Sequence, residues 1–419
     1  MSDFALAEAL EPHSEKLAQY DGDSQEPDTI QEESKAPLVT TGSPLAFPRH
    51  VMSGAAGAFS HIYSQYIESP ASFLYMAYLT VLGNILSDKI TLQSENKPEP
   101  RLFNVILGRS ADERKSTAIS KTVKFFKDAV TEGINICYGV GSAEGLAKAL
   151  QDNPKLILTV DELKTFVQKA RIEASVLLPC VNSLFEENHF QSATKKHIIK
   201  LENTHLSLLA ASTLDTFQTM FSSAFLDIGF INRLFLVLDQ GKKKFAIPKM
   251  IPQQVKDDLA KGLRDVLIVA HSLSQQKRPY PMPIHPGAER LFAQWYFEAP
   301  RSVFSKRLDT YGHRLMPLLA INDKKKHVDV ETVEKVIALL NYELAVRREC
   351  DPVDADNKIA ILEERIRRAL ENRPLSKRQL ERKLNKARAG SFNWRMAIKN
   401  LTEDAEISWN QEEGVYERL

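Results

Sequence analysis

A polar loop at 108–117 contains the residues with the clearest capacity for chemistry in this chain. It follows an apolar run that predicts a buried strand, and it precedes a segment with helical spacing. Backbone N–H groups at the start of a helix attract phosphate oxygens, and Lys115 adds a mobile positive charge for them. The hydroxyl of Ser116 is a suitable ligand for Mg²⁺. The loop therefore predicts a site for the phosphates of a nucleotide.

The loop differs at two positions from the phosphate-binding pattern G-x-x-x-x-G-K-[ST]. Gly108 lies seven residues before Lys115, where the pattern has six, and Arg114 stands in place of the second glycine. An ordinary capped helix with an exposed lysine has the same Lys-Ser-Thr start, so the loop alone leaves both interpretations open. The candidate nucleotide-binding residues of this segment are Gly108, Arg114, Lys115, Ser116 and Thr117.

An Asp-Glu pair follows a second apolar run, 156–160, and provides the acidic groups that phosphate cleavage needs. Asp161 is a candidate Mg²⁺ ligand, directly or through water, and Glu162 is a candidate base that polarises the attacking water. The spacing of 46 residues from Lys115 to Asp161 suits one or two strands with their crossover helices. The alternative is a surface pair that caps the helical segment after it. Together with the loop, the pair predicts ATP and Mg²⁺ as ligands.

Polar residues also flank two further apolar runs. Ser212-Thr213 ends one of them. In many P-loop ATPases a polar residue here touches the γ-phosphate and the lytic water, but a simple helix N-cap explains the pair equally well. Arg233 precedes the other run, where an arginine can reach the γ-phosphate of a neighbouring subunit. A local salt bridge is its alternative. A phosphate contact from Arg314, in a later helical segment, is less favoured than a structural role.

Apolar runs alternate with helical patterns along the first half of the chain, which predicts a mainly parallel sheet sandwiched by helices. In such sheets the active groups collect at the carboxyl ends of strands, where most of these polar residues lie. The expected fold class is α/β, a P-loop NTPase of the RecA or AAA+ kind. The predicted strands are 102–107, 156–160, 206–211 and 234–238.

The 419 residues, 43% hydrophobic and 26% charged, suit one large globular domain with one or two small ones. Residues 1–35 hold ten acidic residues and two lysines, a composition that predicts a disordered acidic arm over 1–45. An ATPase core with a helical lead-in is predicted over 46–245, and a helical lid over 246–350. A separate small domain is predicted over 355–419.

Composition excludes several classes of protein. The three cysteines form no CxxC pair, so neither a zinc site nor a disulfide framework is expected. No signal-peptide pattern is found at the N-terminus, and the most apolar stretch, 71–86, is too short and too polar to span a bilayer. A cytoplasmic protein without membrane contact is the expectation. The net charge of +1 says nothing about nucleic acid.

The order and spacing of eight short blocks between residues 45 and 345 are more specific than any single motif. The polar loop, the acidic pair and Arg233 are among these blocks. The blocks are Phe47-Pro48, Leu82-Gly83, the loop from Leu107 to Thr117, Gly141 to Leu146, Val160 to Leu163, Leu184 to Glu186, Ser212-Thr213 and Gly229 to Arg233.

With these blocks the chain resembles a family of uncharacterised P-loop ATPases encoded by phages, plasmids and integrative elements. Its members look like replicative helicases and often stand beside, or are fused to, DNA primase domains. The resemblance implies nucleotide binding at Lys115 and Ser116, metal and water roles at Asp161 and Glu162, and an arginine finger at Arg233. The chain departs from the family in its loop, where members usually carry more glycine.

The last 65 residues have the pattern of three helices followed by a hairpin, which resembles a winged-helix domain. Nine lysines or arginines and two acidic residues lie between Glu371 and Asn400, a composition suited to phosphate neutralisation. Arg395 and Lys399 fall on the candidate recognition helix, and Trp394 is either a core residue or a contact to a sugar or base. A winged helix that contacts protein is the alternative.

Two interpretations of function remain open at this point. The first is an ATP-hydrolysing, helicase-like or translocase-like protein that acts on DNA in replication or maintenance of a mobile genetic element. Its arginine finger implies a homo-oligomer such as a hexameric ring, and a primase or an initiator is its expected partner. The second is a nucleotide-sensing, DNA-binding regulatory protein with weak or no ATP hydrolysis.

Overall fold

The computed structural model describes ten ranges of the chain. The acidic arm predicted over 1–45 lies outside them except for Leu45, and so do loop residues 110–112. The described ranges are 45–109, 113–130, 133–170, 175–193, 198–220, 229–241, 244–299, 304–350, 358–386 and 390–419.

A five-stranded parallel sheet forms the centre of the described chain, so the α/β class predicted from the sequence is confirmed. The sheet order is β3-β4-β7-β2-β8, and the middle strands are buried over nearly their whole length because helices cover both faces. Its strands are β2 (Phe103–Gly108), β3 (Ile136–Tyr138), β4 (Lys155–Val160), β7 (His205–Thr213) and β8 (Phe235–Leu238).

Two layers of helices pack against this sheet. The crossover from β2 to β3 runs in the opposite direction to the later ones, so right-handed connections place its helix on the other face. The first layer contains α1 (Gly54–Tyr66), α2 (Ala71–Leu86) and α3 (Lys115–Ala129). The later connections contain α4 (Ala143–Asp152), α5 (Leu163–Ala170), α6 (Leu177–Glu186) and α7 (Leu214–Met220).

The region after the sheet is helical, as predicted, but it shares one continuous hydrophobic core with the sheet. The predicted boundary between residues 245 and 246 therefore does not separate two hydrophobic cores. The helices are α8 (Gln253–Gln276), α9 (Pro286–Glu298), α10 (Leu308–Asn322) and α11 (Val330–Cys350). Small strands accompany them: β1 (Ile90–Leu92) pairs in parallel with β9 (Tyr280–Met282), while β5 (Phe190–Ala193) and β6 (Ile198–Leu201) form a hairpin.

Helix α11 covers the outer edge of β8. Tyr342 accepts a hydrogen bond from the N–H of Leu238 and donates one to its carbonyl, both at 2.8 Å. Glu343 accepts from the N–H of Leu236 at 2.8 Å and from Arg347 at 2.7 Å. Side chains of α11 thus form hydrogen bonds with the backbone groups at the outer edge of β8, which would be costly to bury unpaired.

A second hydrophobic core lies in the C-terminal part of the chain, where the predicted helices and hairpin are present. Trp394 belongs to this core with 4% of its surface exposed, so its indole is not available to a sugar or base and the predicted DNA contact is corrected. The elements are α12 (Lys358–Leu370), β10 (Leu375–Ser376), α13 (Lys377–Lys383), α14 (Ser391–Glu403), β11 (Ile407–Asn410) and β12 (Val415–Arg418), with sheet order β10-β12-β11.

None of the helices in the described ranges combines the length and the apolar character that crossing a membrane requires. The apolar stretch 71–86 forms α2, and its side chains are buried inside the protein against β2, β4 and β7. The segment is apolar on most sides because other elements enclose the helix that it forms.

Replacement of Arg347 by Met tests the importance of the covered edge. Arg347 donates to Glu343 and to four backbone carbonyls, so its loss leaves a buried carboxylate and unpaired oxygens. We expect the free energy of unfolding, measured by denaturant titration, to fall by about 3–5 kcal/mol. The matched control is Arg109→Met, which breaks an exposed pair with Glu349 of the same helix and is expected to cost less than about 1 kcal/mol. Equal losses in the two variants would contradict the assignment.

Candidate functional site

The sheet has a topological switch point between β2 and β7. The connection from β2 leads to β3, beyond β7 and β4, while the connection from β7 passes to the other side of β2 and enters β8. Neighbouring strands whose connections leave in opposite directions create a crevice at their carboxyl ends, which is where ligands bind in sheets of this type. Gly108 is paired with Thr213, and Leu107 with Ser212, at this crevice.

The acidic pair reaches the same edge of the sheet. Val160, the last residue of β4, is paired with Ala210 of β7, so Asp161 and Glu162 follow the carboxyl end of the next strand along. Both side chains are exposed. The structure therefore brings together Gly108, the acidic pair and Ser212-Thr213, three segments that are remote in sequence.

Lys115, the first residue of α3, is buried and its side chain folds back over Gly108. A β-carbon at Gly108 would lie 2.9 Å from Nζ of Lys115, so a larger residue there would require the end of the lysine side chain to shift. Burial lowers the pKa of Lys115, and the nearby carboxylate of Glu113 acts in the opposite direction. The loop thus positions one ammonium group at the end of the strand, where it can contact an anion.

Glu113 occupies the same space. Its carboxylate would collide with a β-carbon at Gly108, and the residue is buried. Its negative charge lies against Gly108 together with the ammonium group of Lys115. An incoming anion therefore has to compete with Glu113 for the lysine.

Arg114 has the left-handed backbone conformation (φ 52°) that the glycine of the phosphate-binding pattern also suits. For a residue with a side chain this conformation costs about 1–2 kcal/mol. Two residues between α1 and α2 hold it in place. Ser69 donates to the carbonyl of Arg114 at 3.0 Å, and Glu68 pairs with its guanidinium at 3.1 Å. The Arg114 side chain thus points to Glu68.

Glu68 is a residue of this region that the sequence did not reveal. The backbone N–H groups of Lys244 and Phe245 donate to its carboxylate and hold its pKa below the usual value. The same carboxylate binds Arg114, so it joins the residue before α3 to the segment after β8. Ser72, at the start of α2, similarly donates to Asp239, just after β8, at 2.6 Å. Nothing in the sequence around Glu68, which stands just before Ser69-Pro70, predicted these contacts.

The two predicted metal ligands line one cavity. Ser116 and Asp161 both contribute to a space of about 430 Å³ between α3 and the ends of β3 and β4, together with Thr117 and Thr159. The described residues contain no group of three or more His, Cys, Asp or Glu side chains suited to a metal. Mg²⁺ on a polyphosphate needs only one or two protein ligands because phosphate and water oxygens complete its shell. The hydroxyl and carboxylate therefore fit Mg²⁺ bound together with a nucleotide.

Thr213 acts as the N-cap of α7, as the simpler interpretation held. Its hydroxyl accepts from the N–H of Thr216 at 3.2 Å and donates to the Thr216 hydroxyl at 2.7 Å. Ser212 is buried, and its hydroxyl donates to the carbonyl of Thr213 at 3.1 Å. Both residues lie at the crevice, but their hydroxyls have partners within the chain.

Arg233 lies before the first residue of β8, at the opposite end of the sheet from Gly108. Its guanidinium binds Glu186 at 3.0 Å and the carbonyl of Gly229 at 2.8 Å, and Arg307 binds the same glutamate. Burial lowers the pKa of Arg233. The local salt bridge that the sequence left open is thus present, and the residue does not reach Gly108 or Lys115 of its own chain. Any contact with a γ-phosphate has to be to that of a neighbouring subunit.

Arg314, the less favoured phosphate contact, is also structural. It is buried and donates to the carbonyls of Arg101 and Phe185, and its guanidinium lies 4.0 Å from the ring centroid of Phe185. Arg101 comes just before β2, which places this contact at the amino end of the sheet. The crevice therefore receives no charge from Arg314.

Comparison of the chain with protein-family models finds no match, and neither does comparison with the curated proteins.

Replacement of Glu113 by Gln tests the competition within the loop. The substitution keeps the shape of the side chain and removes the charge that opposes an anion. We expect roughly tenfold tighter binding of inorganic tripolyphosphate, equivalent to about 1.4 kcal/mol, measured by calorimetry. Glu95→Gln, at an exposed glutamate outside the site, is the control and should bind as the wild type does. Weaker or unchanged binding by Glu113→Gln would show that the carboxylate does not occupy the anion position.

Proposed function

We propose that this protein is a P-loop ATPase that binds and hydrolyses ATP and acts on DNA as a helicase-like or translocase-like motor. One observation carries the proposal. At the switch point of a parallel sheet, a buried lysine at the start of a helix lies over the glycine that ends β2. Asp161, one strand beyond β7, shares a cavity with the hydroxyl that follows this lysine.

Each residue of the crevice has a defined role in this proposal. The ammonium group of Lys115 and the first N–H groups of α3 bind the β- and γ-phosphates, and Gly108 and Thr117 shape the cradle. Ser116 and Asp161 would hold Mg²⁺, which supplies positive charge that neutralises the phosphates. Glu162, exposed at the end of β4, orients the attacking water and accepts its proton on a carboxylate oxygen.

A trans-acting arginine fits the position of Arg233. The side chain is held in place by Glu186, which it shares with Arg307, and it is remote from the phosphate loop of its own chain. In a ring of identical subunits, such as a hexamer, it would face the nucleotide of the next subunit and stabilise charge in the transition state. We include the ring and a primase or initiator partner in the proposal because the sequence resemblance implies them.

The C-terminal region supplies a surface for DNA. Its three helices and three-stranded antiparallel sheet are arranged in the chain order of a winged-helix domain. Arg395 and Lys399 lie one turn apart on α14 and both are exposed, while Trp394 and Ala397 on the same helix are buried. A helix with a buried apolar side and an exposed basic side is suited to the phosphate groups of a duplex.

The second candidate function, a nucleotide-sensing regulator with weak or no hydrolysis, is favoured by a different observation. Glu113 lies at the proposed anion position, and Arg114 adopts a costly backbone conformation that Ser69 and Glu68 support. A nucleotide therefore has to displace Glu113 before it reaches Lys115. The two functions differ in whether Glu162 acts on a water molecule after ATP has bound.

ATP turnover by the purified protein, with and without single- and double-stranded DNA, tests the first function. We expect Lys115→Ala to lower turnover roughly a hundredfold, because the charge on the phosphates is lost. Glu162→Gln should lower it as much while ATP still binds, since only the proton acceptor is removed. Lys121→Ala, at an exposed lysine on the same helix, is the matched control. If wild-type protein binds ATP but turns it over no faster than Glu162→Gln, the regulator is the correct function.

Binding of duplex DNA tests the basic side of α14. The double variant Arg395→Ala, Lys399→Ala should weaken binding, and the slope of log affinity against log salt should fall by about two units because two phosphate contacts are lost. Lys261→Ala, at an exposed lysine of α8, should leave both the affinity and the slope unchanged. An unchanged slope in the double variant would assign α14 to protein contacts.

A further inference from the structure

We propose that Glu68 is a positioning residue for Arg114, and that residues 244–251 regulate phosphate binding at Lys115 through Glu68. These residues, called the strap below, lie between β8 and α8 and end just before α8. The proposal rests on the proposed function in one respect, the binding of phosphates at Lys115. It does not require that the bound nucleotide be hydrolysed.

The carboxylate of Glu68 holds a different partner on each oxygen. Oε1 accepts from the backbone N–H groups of Lys244 at 2.9 Å and of Phe245 at 3.2 Å. Oε2 accepts from the guanidinium of Arg114, from Nε at 3.2 Å and from Nη2 at 3.1 Å. The Glu68 side chain is only 7% exposed. Because the strap and Arg114 share one buried carboxylate, a displacement of either group changes the support of the other.

Arg114 determines how the chain enters α3. Its carbonyl accepts from the N–H of Ala118 at 3.0 Å, as in the first turn of a helix, and from the hydroxyl of Ser69 at 3.0 Å. Its left-handed backbone conformation is unfavourable for a residue with a side chain, and Lys115 follows it directly. Loss of the contact with Glu68 would therefore free Arg114 to leave this conformation and displace the ammonium group of Lys115.

The strap has little buried apolar surface. Besides its two bonds to Glu68, it donates from the N–H of Lys249 to the carbonyl of Tyr66, the last residue of α1, at 3.2 Å. Ile247 and Met250 are 83% and 90% exposed. Segments of this kind detach at a lower free-energy cost than buried elements do. The strap can therefore detach while the sheet stays folded, and Glu68 then loses two hydrogen bonds.

Gly241, three residues before the strap, provides a second contact with the same region. A β-carbon at Gly241 would lie 3.4 Å from Cα of Glu113 and 3.4 Å from the carbonyl oxygen of Glu68. The chain thus packs against Glu68 and against the residue whose carboxylate an incoming anion has to displace. Coupling between two sites is reciprocal, so an attached strap that favours phosphate binding is itself stabilised by bound phosphate by the same factor.

The affinity of the full chain for inorganic tripolyphosphate, measured by calorimetry, tests the positioning role. Glu68→Gln keeps the shape of the side chain and is expected to weaken binding roughly tenfold, equivalent to about 1.4 kcal/mol. The change in charge alone has the opposite sign, because removal of a carboxylate favours an anion. Ser69→Ala removes the other support of Arg114 without a change in charge and should weaken binding roughly threefold. Glu95→Gln, at an exposed glutamate, is the control and should bind as the wild type does.

An Arg114→Gly background distinguishes positioning from a general structural role. Glycine adopts the left-handed conformation without support, so Glu68→Gln and Ser69→Ala should each change the affinity by less than about twofold in this background. Thermal unfolding of every variant shows whether it is folded. Equal losses of affinity with and without Arg114→Gly, or a lower melting temperature with unchanged affinity, would reject the positioning role.

Hydrogen exchange of the strap tests the reciprocal effect. Saturating tripolyphosphate should slow exchange at the amide groups of Lys244 and Phe245 roughly tenfold in the wild type and leave it unchanged in Glu68→Gln. Exchange that does not respond to bound tripolyphosphate in the wild type would reject regulation by the strap.

The outcomes separate this proposal from the proposed function. A wild-type protein that binds no tripolyphosphate would reject the anion site and this proposal together. Normal ATP turnover in the wild type, with no effect of Glu68→Gln on affinity, would reject this proposal alone. Binding without ATP turnover, together with the expected effects of Glu68→Gln, would sustain this proposal and reject the motor in favour of the regulator.

Discussion

A parallel sheet buried on both faces is stable only if the backbone groups along its edges and ends find partners, and this constraint governs the rest of the structure. Helix α11 meets it at the β8 edge through Tyr342 and Glu343. At the amino end, Asn84 of α2 donates to the carbonyls of Leu156 and His205, at 3.1 Å each, and so ties β4 to β7. These contacts support the register that places Gly108 opposite Thr213. The opposite edge strand, β3, pairs within the described residues with β4 alone, and that is where an aromatic ring is left in solvent.

The same register explains why an irregular loop can still form a site. In the proposed function the strand ends define the position of the anion, so the loop has only to deliver a lysine and the start of a helix to that position. The unfavourable backbone of Arg114 is offset by contacts from Ser69 and Glu68, which lie outside the loop. Glycine is the usual solution because it needs no such support. A chain that supplies the support from the α1–α2 connection can use arginine instead.

The central strands were predictable from sequence because β2, β4, β7 and β8 are continuous apolar runs that few other elements resemble. Strand β3 was not predicted, since three residues at a sheet edge, with Cys137 and Tyr138 partly in solvent, leave no apolar run. The carboxyl-end position of Asp161 followed from the pattern. The partner of Arg233 did not, because Glu186 lies 47 residues earlier and only the tertiary fold brings them together. The orientation of Glu113 was equally hidden, because sequence gives its charge and not the space beside Gly108.

In the proposed site, the residues that would bind a nucleotide follow one strand and the residues that would cleave it follow another. The two candidate functions therefore share the first group and differ in the second. Glu113 and Lys115 belong to the loop after β2, whereas Asp161 and Glu162 follow β4. In both candidate functions, an anion that displaced Glu113 would bind next to Arg114, its neighbour in the chain. Arg114 shares Glu68 with the N–H groups of Lys244 and Phe245, which lead into the helical region. A path of direct contacts therefore runs from the anion position toward α8 without passing through the acidic pair. A motor and a regulator can both use that path, and only the chemistry at Glu162 distinguishes them.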